Sequence, residues 1–195
     1  MSEKKYGDKI PEEIRLLNEA IKYAVDQHAG QVRKGTDVPY ITHPLEVLTI
    51  LNAMQANPTT MMAGVLHDTV EDTGATIDDL RNRFGDAVAA LVAGHSEDKS
   101  KTWDERKSQA IAELAEAPYE LKCVVLADKL SNIRSMARDY AELGDALWER
   151  FNAPREKQAW YYAGAIDALK EMQTHKETRA AYEEFCALVR EVFEE

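Results

Sequence analysis

The sequence predicts an all-α protein, a single helical bundle of about eight to ten helices, on three observations. Apolar residues recur at offsets of three and four through most of the chain, the period of a helix with one buried face. No five-residue stretch alternates cleanly between apolar and polar side chains, as a half-buried strand would. Glycine (9) and proline (6) are sparse among 195 residues, too few for a chain built on many tight turns. A chain of this length suits one domain and can bury a sizeable core without disulfide or metal staples. No internal repeat, low-complexity run or linker divides it, so residues 1–195 read as one unit.

The elements follow in order. Pro11 and two glutamates form a first helical turn, and Ile14, Leu17, Ile21, Ala24 and Val25 carry the stripe to Ala29-Gly30. GQVRKGTDVPY is a loop marked by Gly30, Gly35 and Pro39. Pro44 opens the second helix, with Thr42 or His43 near its cap and Leu45, Val47, Leu48 and Leu51 on its apolar face. Asn57-Pro58-Thr59 separates it from a third helix, TTMMAGVLHDTVED, which Thr73-Gly74 stops. Thr76 to Asp79 reads as a capping box leading into DDLRNRFG, with Asp at the fourth position where Glu or Gln is preferred. Asp86 starts AVAALVAG. The polar, Lys-rich segment from His95 to Trp103 reads as a loop, and a helix follows over about 104–116. Pro118 opens YELKCVVLADKLSNIRSMARD, and Gly144 and Pro154 punctuate the next stretch. REKQAWYYAGAIDALKEM and ETRAAYEEFCALVREVFEE end the chain; the last is amphipathic, with Tyr182, Phe185, Leu188, Val189 and Phe193 to bury.

Lys and Arg total 24 and Asp and Glu 35, giving a formal charge of −11. That excludes a general basic footprint for nucleic acid or for an anionic membrane, and neither is expected as a partner. A phosphate-bearing substrate stays open where a local basic patch or a bound cation reverses the field. Cys123 and Cys186 lie far apart without metal-type spacing, so no disulfide framework is expected and a reducing cytoplasm is the simpler setting. The first fifteen residues contain no apolar signal region, and no apolar run approaches the roughly 18–20 residues of a membrane span.

Four short pieces carry the chemistry: Gln31-Val32-Arg33-Lys34, Tyr40-Ile41-Thr42-His43-Pro44, Leu66-His67-Asp68-Thr69-Val70-Glu71-Asp72 and Leu126-Ala127-Asp128-Lys129-Leu130-Ser131-Asn132. His67 and Asp68 lie between apolar flanks, where an uncompensated polar pair is costly. Glu71 and Asp72 follow one turn later, so one imidazole and three carboxylates crowd two adjacent helical rows. A cation relieves that repulsion, and the mixed nitrogen and oxygen donors suit Mn, Fe, Zn or Co better than Ca or Mg. The bland alternative is a solvated charged face. His43, just before a helix, is the candidate third ligand, against a capping role. Asp128, after an apolar run, is the candidate fourth, against a salt bridge to Lys129 or Arg134. Arg33 and Lys34 offer local positive charge, against a solvated loop.

Together these pieces resemble the HD-domain metal-dependent phosphohydrolases, and within them the hydrolase domain of the RelA/SpoT proteins and the stand-alone small alarmone hydrolases. The resemblance rests on QVRK at 31–34, PYITHP at 39–44, GVLHDTVED at 64–72, Phe84-Gly85 and LADKLSNIR at 126–134, and it covers roughly residues 16–170, with a C-terminal helix over 176–195 appended. It implies one Mn²⁺ ion held by His43, His67, Asp68 and Asp128. It implies that Glu71 and Asp72 are the acidic pair that orients or deprotonates the attacking water. It further implies nucleotide contacts from Arg33 and Lys34, a sugar or phosphate contact from Asn132, and one from a late-helix tyrosine, taken as Tyr161 within the WYY run. The segment GHSEDKSKTW departs from the family's VTDDKT-type segment.

The activity implied is a manganese-dependent 3′-pyrophosphohydrolase, of the phosphoric diester hydrolase class, acting on the stringent-response alarmone (p)ppGpp to give GDP or GTP plus pyrophosphate. With no synthetase region in this sequence, degradation without synthesis is expected. The chemistry fits independently: a divalent ion lowers the pKa of its water and polarises the phosphoryl group, a carboxylate accepts the proton, and Arg and Lys hold phosphate oxygens. Alternatives keep the metal and change the substrate, to adenine alarmones or the 2′-phosphate of NADPH, or make the chain a non-catalytic nucleotide-sensing module or a metal-free helical scaffold. The expected partner is a small-molecule nucleotide; oligomeric state stays open, with a homodimer one option. The remaining features read blandly: His28 as a capping or packing residue, His95 and His175 as surface residues, Trp160-Tyr161-Tyr162 as core, Cys123 as a small core hydrophobe, and SEDKSKTWDERK as a mobile flap.

Overall fold

The computed structural model describes residues 10–194. The expectations for the first nine residues and for Glu195 lie outside the described residues. Ten α-helices are present among them: α1 (Glu12–Gln27), α2 (Thr42–Ala53), α3 (Pro58–Leu66), α4 (Thr69–Asp72), α5 (Ile77–Phe84), α6 (Asp86–His95), α7 (Trp103–Ala115), α8 (Tyr119–Leu143), α9 (Arg155–Ala168) and α10 (Arg179–Phe193). Two 3-10 turns, Gly144–Arg150 and Lys170–Gln173, complete the order. The described residues form no strand, only a lone antiparallel bridge between Val32 and Pro39 that pins the loop after α1. The all-α expectation therefore holds.

The 25-residue α8 is the spine of the bundle. Its Val124 faces one apolar cluster, with Ala20, Ala24, Leu66, Leu80 and Val92. Its Leu126, Leu130 and Ile133 face another, with Leu51, Tyr162, Leu169 and Phe185. Burial on two sides is why this helix reads as an apolar run around Asp128. The terminal helix α10 packs on α8 and α9, burying Tyr182, Phe185, Val189 and Val192 in its own bundle. Burial also pushes the Cys123 thiol up to about 11, in keeping with an inert core residue.

Several boundaries differ from the sequence expectation, each for a local reason. α2 starts at Thr42, so His43 stands in its first turn rather than at its cap. The helix expected over 59–72 breaks at His67–Asp68 into α3 and α4. α7 begins at Trp103, because Thr102 and Glu105 form a full capping box that the polar composition of this stretch obscures. At Thr76 the capping box with Asp79 forms in both halves.

Gly64 lets α3 approach α2 closely. A Cβ there would collide with Leu51 Cδ1, and Leu51 is fully buried. We expect Gly64→Ala to destabilise the fold by about 1–2 kcal/mol, overpacking outweighing the gain in helix propensity. Urea unfolding checks this; a stabilised variant would refute it.

Candidate metal centre and its clefts

The break after Leu66 builds the centre. His67 keeps helical angles (φ −54°, ψ −39°) while Asp68 departs from them (φ −91°, ψ −7°), and the two side chains meet, His67 Nε2 standing 2.9 Å from Asp68 Oδ2. Side chains cap the break: His67 Nδ1–H donates to Gly64 O (2.7 Å), and Thr69 Oγ1 donates to Leu66 O (2.7 Å). His43 arrives from the first turn of α2 and Asp128 from the middle of α8.

The ligand atoms of His43, His67 and Asp128 lie within 4.8 Å of one another. His43 Nε2 stands 3.2 Å from His67 Nε2 and 3.1 Å from Asp128 Oδ1. Asp68 Oδ2 closes the set at 2.9 Å from His67 Nε2 and 3.5 Å from His43 Nε2. Donors about 2.1 Å from a common ion are separated by about 3.0–3.4 Å, and these spacings fall around that range.

The protons make the case stronger. The Gly64 carbonyl can only accept, so His67 carries its hydrogen on Nδ1. Ser131 Oγ spends its hydrogen on Glu46 Oε2 (2.9 Å), so it accepts from His43 Nδ1–H (2.8 Å). With both Nδ1 hydrogens committed outward, the two Nε2 atoms face each other and two carboxylates. Such an arrangement needs a positive charge at its centre, and the outer hydrogen bonds are those that orient metal-ligating histidines.

The electrostatics agree. Burial pulls the His67 imidazole down, yet Asp68 and Asp128 outweigh it and hold the ring charged well above its usual value. His43 is lowered, burial dominating. Burial would raise Asp128, but Lys129 and the imidazoles hold it well below the usual carboxylate range. Asp68 is likewise held low, His67 overcoming burial. A divalent ion fits this donor set and would supply the missing charge.

Glu71 lines a cleft of about 250 Å³ beside the donors and accepts the Glu97 backbone N–H at Oε1 (2.7 Å). Asp72 is more exposed; its Oδ2 lies 3.2 Å from the Tyr40 hydroxyl, which donates to Asp68 Oδ2 at 2.6 Å. Burial and the Asp68 carboxylate push the Tyr40 phenol up, so it stays a donor. Lys99 Nζ donates to Glu71 O (2.5 Å) and lies 3.5 Å from Asp72 Oδ1.

A second cleft, of about 650 Å³, opens beside the first and shares Tyr40, His43, Lys129, Asn132 and Tyr161 with it. Seven cationic side chains and only two acidic ones line it, so the local field opposes the net charge of −11. Arg33 Nη2 donates to Asn132 Oδ1 (2.8 Å), and Asn132 Nδ2 donates to Asp128 Oδ1 (2.6 Å), a chain from the 31–34 loop to the donor cluster. Lys34 bonds Asn152 Oδ1 (3.1 Å). The buried Tyr161 ring lies under Lys107 (4.6 Å) and Lys129 (5.4 Å).

The fold thus brings together every residue singled out in the sequence: His43, His67, Asp68 and Asp128 in one cluster, Glu71 and Asp72 at its edge, and Arg33, Lys34, Asn132 and Tyr161 around the larger cleft. Asp128 also makes the salt bridge offered as its bland alternative, to Lys129 (2.7 Å), while Arg134 pairs with Glu184 and Glu46 instead. His28 is the C-terminal cap residue of α1, as read.

Two readings are corrected, and the first is Trp160, expected in the core with Tyr161 and Tyr162 but 47% exposed. His95, expected on the surface, has a side chain only 10% exposed and reaches Asp128 Oδ2 at 3.3 Å. The polar run that follows it gave no periodic signal for the end of α6. His175 is exposed as expected. The 96–102 segment is tied down by Glu97, which pairs with Arg106 (2.8 Å) and Lys107 (2.5 Å).

Comparison with known proteins gives consistent relatives. Residues 20–158 match the HD domain family. The GTP pyrophosphokinase of Streptomyces coelicolor is 42% identical over 127 residues, 63% of this chain and 15% of that protein. This chain therefore spans only a small part of that longer relative. The zebrafish (Danio rerio) guanosine-3′,5′-bis(diphosphate) 3′-pyrophosphohydrolase MESH1 is 37% identical over 126 residues, 63% of this chain and 70% of that one. A solved metazoan orthologue of SpoT, described as hydrolysing ppGpp, superposes with a TM-score of 0.71 at 29% identity, over 88% of this chain and 94% of its own. Among the described residues no helix is long and apolar enough to cross a membrane.

Proposed function

Because the chain belongs to the HD-domain family, we propose that it is a 3′-pyrophosphohydrolase of (p)ppGpp, releasing GDP or GTP and pyrophosphate. The observation that carries this reading is the convergence of two imidazole Nε2 atoms and two carboxylates beside Glu71, at the mouth of a cationic cleft. The named activities of the MESH1 relative and the SpoT orthologue support the same substrate.

In this reading His43, His67, Asp68 and Asp128 hold one divalent ion, and Mn²⁺ suits their mixed donors. When bound, the ion lowers the pKa of water and polarises the phosphoryl oxygen. Glu71, fixed by the Glu97 N–H, orients the attacking water and accepts its proton. Asp72, with Tyr40, sets the second carboxylate beside it. Arg33 and Lys34 bind the nucleotide, Asn132 the sugar or phosphate region, and Tyr161 forms an apolar wall with Lys107 and Lys129 charged above it. We read the chain as one hydrolase unit of the cytoplasm.

The test is product analysis with Mn²⁺ present. The protein should release one pyrophosphate per guanosine 3′,5′-bis(diphosphate); no release overturns the reading. Turnover of the adenine counterpart and of NADPH in parallel reads out base and phosphate preference. Arg33→Ala should cut kcat/KM about 10- to 100-fold, the worth of one charge-assisted hydrogen bond, with ion content unchanged. Steady-state kinetics beside elemental analysis checks this, and unaltered kcat/KM would remove Arg33 from the substrate site.

A further inference from the structure

We infer that His95 is a positioning residue for the bound cation, holding the Asp128 carboxylate through Oδ2 so that Oδ1 faces the two imidazoles. The inference rests on the metal reading above.

The two oxygens of Asp128 are committed differently. Oδ1 lies 3.1 Å from His43 Nε2 and 3.6 Å from His67 Nε2. Oδ2 lies 2.7 Å from Lys129 Nζ and 3.3 Å from His95 Nε2. The other donors to this carboxylate, Lys129 Nζ on Oδ2 and Asn132 Nδ2 on Oδ1 (2.6 Å), both belong to α8, the helix that carries Asp128 itself. His95 is the donor that arrives from another element, the end of α6, and ties the carboxylate plane to the rest of the bundle. Because Oδ2 can only accept, His95 must carry its hydrogen on Nε2.

The surroundings of the ring argue against simple packing. His95 stands edge-on to His67, with ring centroids 4.9 Å apart, so it packs directly against one of the residues that face the centre. Its Nδ1 is buried and finds no partner. A buried imidazole with one unpaired nitrogen is a poor choice for filling space, since an apolar side chain would fill it without that penalty. Asp128 Oδ2 is the hydrogen-bond partner it has, and the ring therefore contributes to the cation's seat more than to the fold.

The test compares the full-length native chain with His95→Leu and His95→Gln. Mn²⁺ affinity is read by calorimetric titration, and unfolding midpoints are read in chelator, so neither readout depends on turnover. His95→Leu should weaken Mn²⁺ binding about 10- to 100-fold, the range for losing an outer partner of a ligand, with no drop in midpoint without metal. His95→Gln, whose amide N–H can donate to the same oxygen, should bind within about threefold of native. Native-like affinity in His95→Leu, or affinity in His95→Gln as weak as in His95→Leu, overturns the inference while leaving the metal reading standing. A midpoint lost in proportion to affinity makes His95 a packing residue and also overturns it. Absence of Mn²⁺ uptake by the native chain overturns both.

Discussion

Glu71→Gln should leave the bound-ion content nearly intact and cut turnover by at least about two orders of magnitude, the usual loss when a general base is removed. The substitution is informative because of what it keeps. The Gln side-chain carbonyl can still accept the Glu97 backbone N–H that Glu71 Oε1 now accepts at 2.7 Å, so the side chain stays in place. Lys99 bonds the Glu71 main-chain carbonyl, which the substitution does not touch. Only the capacity to take a proton is lost. Stopped assays of pyrophosphate release, run beside elemental analysis, separate the two effects. Unchanged turnover would move the role to Asp72, which stands between Tyr40 and Lys99.

Asp128→Ala should abolish turnover and also destabilise the fold by about 2–4 kcal/mol, because it leaves the largely buried Lys129 ammonium, 13% exposed, without its carboxylate. Burial alone would lower Lys129, and Asp128 at 2.7 Å is what holds it charged well above its usual value. Urea unfolding in chelator isolates this term from the loss of bound ion. Pairing the change with Lys129→Met should recover much of the stability and none of the turnover, since replacing both partners of a buried pair with apolar groups is often neutral. A single variant as stable as the native chain would mean that the pair contributes little, and its turnover would then report on ion binding alone.

Much of this molecule was legible in its sequence because its elements obey local rules. The stripe through Ile14, Leu17 and Ile21, the Thr76–Asp79 capping box and the opening prolines at 11 and 118 all describe helices that form where they are read. The site residues were legible for a different reason: charged side chains inside apolar runs, as at His67–Asp68 and Asp128, violate the local pattern and so mark a purpose. The break between α3 and α4 was not legible, since Leu66 to Asp72 keeps helical spacing throughout and the turn is fixed by side-chain bonds to Gly64 and Leu66. His95 was hidden similarly. It sits at the junction of an apolar helix and a polar loop, and only the long-range approach of α6 to α8 brings it to Asp128. Sequence spacing can reveal neighbours on one helix, whereas the outer partners of a cluster come from elements whose meeting is a property of the packed core.

The central claim is that one divalent ion is shared by donors from three separate stretches of the chain. Its most direct test is the manganese content of the native protein and of His67→Ala after exhaustive exchange into metal-buffered solution. The account predicts one ion per native chain and essentially none in the variant. A native chain that holds no ion, or a His67→Ala chain that still holds a full equivalent, would contradict it.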